Sequence, residues 1–149
     1  MSKPKRKPEL VAPAGNWSCL NSAVVSGADS VYFGVKGLNM RHLASNFDLL
    51  EVKKVVKFLH DNGKLAYLAL NIIIYDKEIT KVEKILKQAK KAGIDAVILW
   101  DMAAFYLAKR LGLRIHLSTQ ASVSNYLALK KFASMGVKRA VLARECRLS

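Results

Sequence analysis

One unit recurs along the chain and limits the folds open to it: a short β-rich strand, a polar turn, an amphipathic helix, a glycine, then the next strand. ELVAPA (9–14) reads as the first strand. Asn16 caps a helix whose inner face carries Leu20, Ala23 and Val24, and Gly27 ends it. SVYFG (30–34) is the second strand. Asp48 with Glu51 three residues on makes an acidic capping box. Val52, Val55, Val56 and Leu59 form the stripe of the next helix, and Gly63 stops it. LAYLALN (65–71) is the third strand. Asp76 opens a helix with Ile79, Val82, Leu86 and Ala89, closed by Gly93. AVILW (96–100) is the fourth strand, and Asp101 caps the helix that runs to Gly112. RIHLST (114–119) is the fifth strand. Ser124 or Asn125 caps a helix through Leu129 and Phe132 to Gly136, and RAVLAR (139–144) is the sixth strand.

Helices alternating with short strands imply parallel βαβ units. An open doubly wound sheet and a (β/α)₈ barrel both satisfy that. In a barrel, Ile115 and Leu117 face helices while His116, Ser118 and Gln120 face the lumen. Likewise Ala66, Leu68 and Leu70 face out while Tyr67, Ala69 and Asn71 face in. Polar residues at inward strand ends are what a barrel active site requires. APAGN after the first strand is not the glycine-rich phosphate loop of a dinucleotide fold. The expected fold is therefore α/β, an incomplete TIM-like barrel of about six parallel strands and five helices. Residues 1–8 are expected to be a disordered basic tail. Residues 9–149 are expected to be the N-terminal portion of a barrel, ending before units seven and eight.

The 25 Lys and Arg against 11 Asp and Glu give a net charge of +14. Much of this sits at helical spacing opposite apolar stripes: Lys81, Lys84, Lys87 and Lys91; Lys53, Lys54 and Lys57; Lys130 and Lys131. These read as solvated outer faces, so the charge favours a polyanionic partner only modestly. The longest apolar run, AYLALNIIIY (66–75), is too short to span a bilayer, and no signal-type segment follows MSKPKRKP. A cytoplasmic protein with no membrane partner is expected. Cys19 and Cys146 form no zinc pattern and no disulfide framework, so no metal site is assigned.

The strand ends carry a family likeness. ELVAPAGN (9–16), GADSVYFG (27–34), RHLASNF (41–47), GIDAVILWD (93–101), IHLSTQASVSN (115–125) and RAVLARE (139–145) resemble the U-32 peptidase family in order and spacing. That family is also called the collagenase-like proteases. Two positions depart from its pattern: Ile72 stands where Thr is frequent, and Cys146 where Leu is usual. The resemblance implies two activities. One is proteolysis of collagen. The other is oxygen-independent hydroxylation of tRNA or ribosomal RNA bases, or of the ubiquinone ring. The hydroxylating members hold an iron–sulfur cluster on four cysteines beyond the region matched here. No cofactor is therefore expected in this chain, and a cluster is implied for its full-length parent.

RIHLSTQASVSN then reads as the fifth strand and the mouth of its loop, with polar groups lining the substrate end. Gln120 is the leading candidate, as an amide reading a substrate edge, against a role tying the loop to its neighbour. Gln120, Glu145 and Asn71 are assigned to contact the reacting group. Lys36, Arg41 and Arg144 are assigned to phosphate or carboxylate, with Asn46 and Tyr32 as further substrate contacts. Arg144 and Glu145 read alternatively as a rim ion pair, and Asn125 as a cap. His116 reads as a hydrogen-bonded core histidine rather than an acid or base, and Tyr67 and Trp100 as packing rather than stacking platforms. Asp48, Asp76 and Asp101 read as helix caps. A Ser118–His116 dyad is disfavoured by the spacing of two residues on one strand face and by the lack of an orienting third group. Hydroxylation of an RNA base by the parent is the favoured function. Proteolysis is the rival, and an inactive scaffold that oligomerises through its exposed strand edges is the third reading.

Overall fold

The computed structural model describes residues 7–37 and 46–147. It contains six strands: β1 (Val11–Ala14), β2 (Ser30–Gly34), β3 (Leu65–Leu70), β4 (Ala96–Leu99), β5 (Ile115–Leu117) and β6 (Arg139–Ala140). Five α-helices connect them: α1 (Trp17–Val25), α2 (Val52–Asp61), α3 (Ile79–Ala92), α4 (Met102–Arg110) and α5 (Tyr126–Ser134). The strands pair in chain order and all are parallel. This is an incomplete TIM-like barrel, with β1 and β6 as its open edges. Most of the tail at 1–8 lies outside the described residues; Lys7 and Pro8 are exposed and irregular.

The sheet has two unlike faces. Val31, Phe33, Ala66, Leu68, Leu70, Val97, Leu99, Ile115 and Leu117 pack with Leu20, Val55, Val56, Leu59, Val82, Leu86, Ala104 and Ala108 of the helices in one apolar core. Tyr67, Ala69, Ala96 and His116 are equally buried but lie outside that core, on the lumen side. The alternation read from the sequence thus holds in β3 and β5.

Local chemistry fixes the elements where the sequence places them. Asn16 accepts a hydrogen bond from the Cys19 amide at the start of α1, and Asn125 accepts from the Ala128 amide at the start of α5. Gly93, at φ +86°, ends α3 in the left-handed conformation that other residues adopt only under strain. Two carboxylates, ahead of β2 and β4, stitch those strands to the one before. Asp29 accepts from the Leu10 amide at 2.7 Å, and Asp95 accepts from the Ala66 amide at 2.8 Å. Each satisfies a backbone donor at the start of a strand.

Four details differ from the sequence reading. β1 starts at Val11, because Glu9 turns its carboxylate into the lumen. The fifth strand ends at Leu117, since Thr119–Ala121 wind into a 3₁₀ turn. The sixth strand is only Arg139–Ala140. Beyond it the Val141 amide still bonds Leu117, but the Ala143 amide bonds Val123 and a turn closes from Ala143 to Cys146. Asp76 is not a cap: Tyr75 takes that position, and its amide donates to Glu78. The edges are also poor templates for pairing. β6 is two residues long, and β1 carries Pro13, which has no N–H to donate.

Candidate active site at the mouth of the lumen

The lumen is closed at its amino-terminal end by a charged knot. Glu9, just ahead of β1, accepts from Ser30 Oγ at 2.7 Å, from Tyr67 Oη at 2.6 Å and from Arg139 Nη1 at 3.0 Å. A second Arg139 nitrogen bonds the other Glu9 oxygen, so the pair is bidentate. It ties the two edge strands to each other. The Arg139 guanidinium beside it, helped by the two hydroxyls, holds the Glu9 carboxyl down at about 2 against the pull of burial. The His116 ring packs edge-on against Tyr67 with centroids 4.8 Å apart. Burial, and then the charge of Arg139, push His116 down to about 4, so it is neutral at pH 7. Among the described residues its ring makes no hydrogen bond, which corrects the hydrogen-bonded core histidine expected from sequence. A packed polar floor of this kind stabilises a barrel at the end away from its chemistry.

The carboxyl ends of the strands are built differently. Leu70 pairs with Leu99, and Leu99 with Leu117. One residue further on, Asn71, Trp100 and Ser118 each follow directly on the end of a strand. The Ser118 amide bonds the Leu99 carbonyl, so the ladder between β4 and β5 persists to Ser118. Ser118 Oγ donates to Gln120 Oε1 at 3.0 Å. Two polar atoms here are buried and have no hydrogen-bond partner: Asn71 Oδ1 and Trp100 Nε1. Such orphans are uncommon in folded proteins and mark places that await one. Below them lie the small Gly34 and Ala69, themselves neighbours across β2 and β3.

Other predicted residues are placed elsewhere. Tyr32 lies on the lumen face of β2, level with Tyr67. Asn46 is buried with φ +45°, the left-handed turn that Asn tolerates, just before Phe47 bridges to Val35. Lys36 is exposed and paired with Asp48 at 2.9 Å. Arg41 lies outside the described residues. Arg144 and Glu145 are exposed past β6 and form no ion pair with each other, so the rim pair expected from sequence is absent. Asp101 caps α4, with Oδ1 accepting from Ala103 at 2.8 Å, while its Oδ2 accepts from Ile74 and anchors the loop after β3. Sequence reasoning missed the Glu9–Arg139 pair and the orphaned indole of Trp100. The signal for the first was present: a Glu and an Arg opening otherwise apolar strands.

Ser118 and His116 are not a catalytic dyad, since one bonds Gln120 and the other packs on Tyr67. Nor does an iron–sulfur cluster fit. Cys19 is exposed on α1 and Cys146 is half-buried past β6. Among the described residues no group of three or more His, Cys, Asp or Glu is placed to hold a metal. No described helix is long and apolar enough to cross a membrane.

Comparison with known proteins agrees with this architecture. The family model for peptidase family U32 matches residues 15–149. A protein of Methanocaldococcus jannaschii named as an uncharacterized protease is 45% identical over 141 residues, which are 95% of this chain and 34% of that protein. A collagenase of Porphyromonas gingivalis is 42% identical over 94% of this chain and 34% of its own length. A tRNA hydroxylation protein of Bacillus subtilis is 36% identical over 94% of this chain and 34% of its own length. The chain thus spans about a third of these relatives. The solved structure of a U32 peptidase superposes with a TM-score of 0.69 at 16% identity, covering 95% of this chain and 61% of that one. On the family match and the shared fold together, the chain belongs to peptidase family U32.

Proposed function

We propose that this chain forms the base-holding part of a U32 barrel whose whole protein hydroxylates a base in RNA. The observation that carries the reading is the mouth of the lumen: Asn71, Trp100, Ser118 and Gln120 offer hydrogen-bonding groups there over a closed floor. A flat polar ring suits such a row better than a peptide nucleophile does. Two relatives of this chain are named for such chemistry, the Bacillus subtilis protein and an Escherichia coli 23S rRNA 5-hydroxycytidine synthase, 33% identical over 94% of this chain and 21% of that protein. In this reading Asn71 and Gln120 orient the base, and Arg41 and Arg144 hold phosphate. Lys36 is a weaker candidate, because binding phosphate requires it to leave Asp48. The iron–sulfur cluster of the reaction would be held by cysteines other than the two here, and Glu145 would act only if the substrate reaches past β6. Fold alone does not select a reaction. The peptidase alternative, suggested by the collagenase relative, finds little support: Ser118 bonds the Gln120 amide, and the carboxylate that Ser30 contacts, Glu9, is paired with Arg139 and held down at about 2, which makes it a poor base.

The test is RNA binding by the purified chain across a salt series. Phosphate contacts make affinity fall with salt, and each lost contact lowers the slope by about 1. Arg144→Ala and Arg41→Ala should each weaken binding uniformly and flatten the slope by that amount. Gelatin cleavage by the same preparation, with no salt-dependent RNA binding, would favour the peptidase instead.

A further inference from the structure

The outer surface of the helical layer carries a groove well away from the lumen. Two hollows of about 290 and about 410 Å³ lie side by side there, sharing Gln88 and Lys91 of α3. Lys53 of α2 and the exposed Leu50 just before α2 border the first; Thr80, Lys84 and Lys87 border the second. We infer that this groove docks the phosphate backbone of an RNA, as a contact surface separate from the one that holds the base. The inference rests on the reading of the whole protein as an RNA enzyme, and assigns α2 and α3 a part in it.

The charge in the groove is not balanced from within. α3 carries five lysines and one acid, Glu83. That acid is already taken, by Lys87 at 2.8 Å and by Arg110 at 2.7 Å. Lys53, Lys84 and Lys91 are exposed and form no ion pair among the described residues. Lysine-rich surfaces that serve thermal stability set their lysines in networks with acids. Here the like charges stand three and four residues apart, which weakens the helix that bears them. Lys84, Lys87 and Lys91 follow one another at about 5 Å along the axis of α3. That is inside a Debye length of about 8 Å, so their fields add. Ammonium groups on flexible stems suit a run of phosphates as point charges, whereas planar carboxylates favour the arginine fork. Leu50 gives apolar surface at the groove's edge for a ribose to pack on. Both helices begin at the mouth end, where their strands finish, so a chain leaving the mouth can pass onto them.

The test compares two triple variants that lower the net charge equally. Lys53→Gln with Lys84→Gln and Lys91→Gln strips the groove of its free charges. Lys109→Gln with Lys130→Gln and Lys131→Gln removes as many from α4 and α5. All six lysines are exposed, so both variants should fold, and thermal melts check that they do. With a stem-loop RNA, the groove variant should flatten the dependence of log affinity on log salt by about 2–3, and the other variant by less than about 1. Equal slopes for the two overturn the proposal, because any three charges then serve. Poly-glutamate that binds as tightly as the RNA, and is lost with the same three lysines, also overturns it in favour of an acidic peptide. If Arg144→Ala weakens RNA binding while the groove variant binds as the unaltered chain does, the groove fails and the RNA reading stands. An unaltered chain that binds no RNA at any salt concentration removes both.

Discussion

Glu9→Ala should lower stability by about 2 kcal/mol, far more than its place in an irregular segment ahead of β1 suggests. The change strands the Arg139 guanidinium and removes the acceptor of the buried Tyr67 hydroxyl. Removing one partner of a fully buried pair costs about 3–5 kcal/mol. Here the Arg139 side chain is 41% exposed, so water recovers part of that. For a domain of this size the loss corresponds to a drop of about 4–8 °C in Tm. Replacing both partners, Glu9→Met with Arg139→Met, should cost less than either single change, because no unpaired charge is left behind. Thermal melts of the three variants measure this. Single changes that are near-silent and additive would mean the knot contributes nothing to closing the lumen floor.

Acid should destabilise the protein over two successive pH ranges. His116 is held neutral, with its folded value near 4 against an ordinary 6.5. The unfolded chain therefore binds more protons between those limits. Stability is fully present above pH 6.5 and falls as pH drops towards 4, by about 3 kcal/mol. Glu9 shares the sign, being depressed from 4.5 to about 2, so its contribution is lost as pH falls below 4.5. Denaturant melts from pH 7 to 4 should show the first loss, and His116→Phe should flatten it while keeping the ring contact with Tyr67. An unchanged slope in that variant would show that His116 is solvated in the folded protein.

The order of strands and helices was legible in the sequence because glycine stops and apolar stripes agree along the chain, with caps at most helix starts and Asp76 the exception. Ile115 and Leu117 against His116 and Ser118 were enough to orient β5, since a period of two admits only two faces. What remained hidden depends on contacts distant along the chain. Glu9 and Arg139 are 130 residues apart, and no local pattern links them. The extent of β6 was overread because RAVLAR has strand propensity, while its backbone is drawn away by the bond from Ala143 to Val123. Within the site, Asn71 and Gln120 were legible as inward polar residues at strand ends. Trp100 was not, because a tryptophan at that position reads first as packing; only its unpaired N–H departs from that reading.

The central claim is that the substrate lies over the carboxyl ends of β3, β4 and β5. Photocross-linking of the chain to RNA carrying a photoreactive base, with the linked residues read by peptide mass spectrometry, tests it most directly. The account predicts links at Asn71, Trp100 and the segment 118–125. Links confined to the lysines on the outer face of α3, Lys84, Lys87 and Lys91, would contradict it and reduce the RNA contact to surface charge.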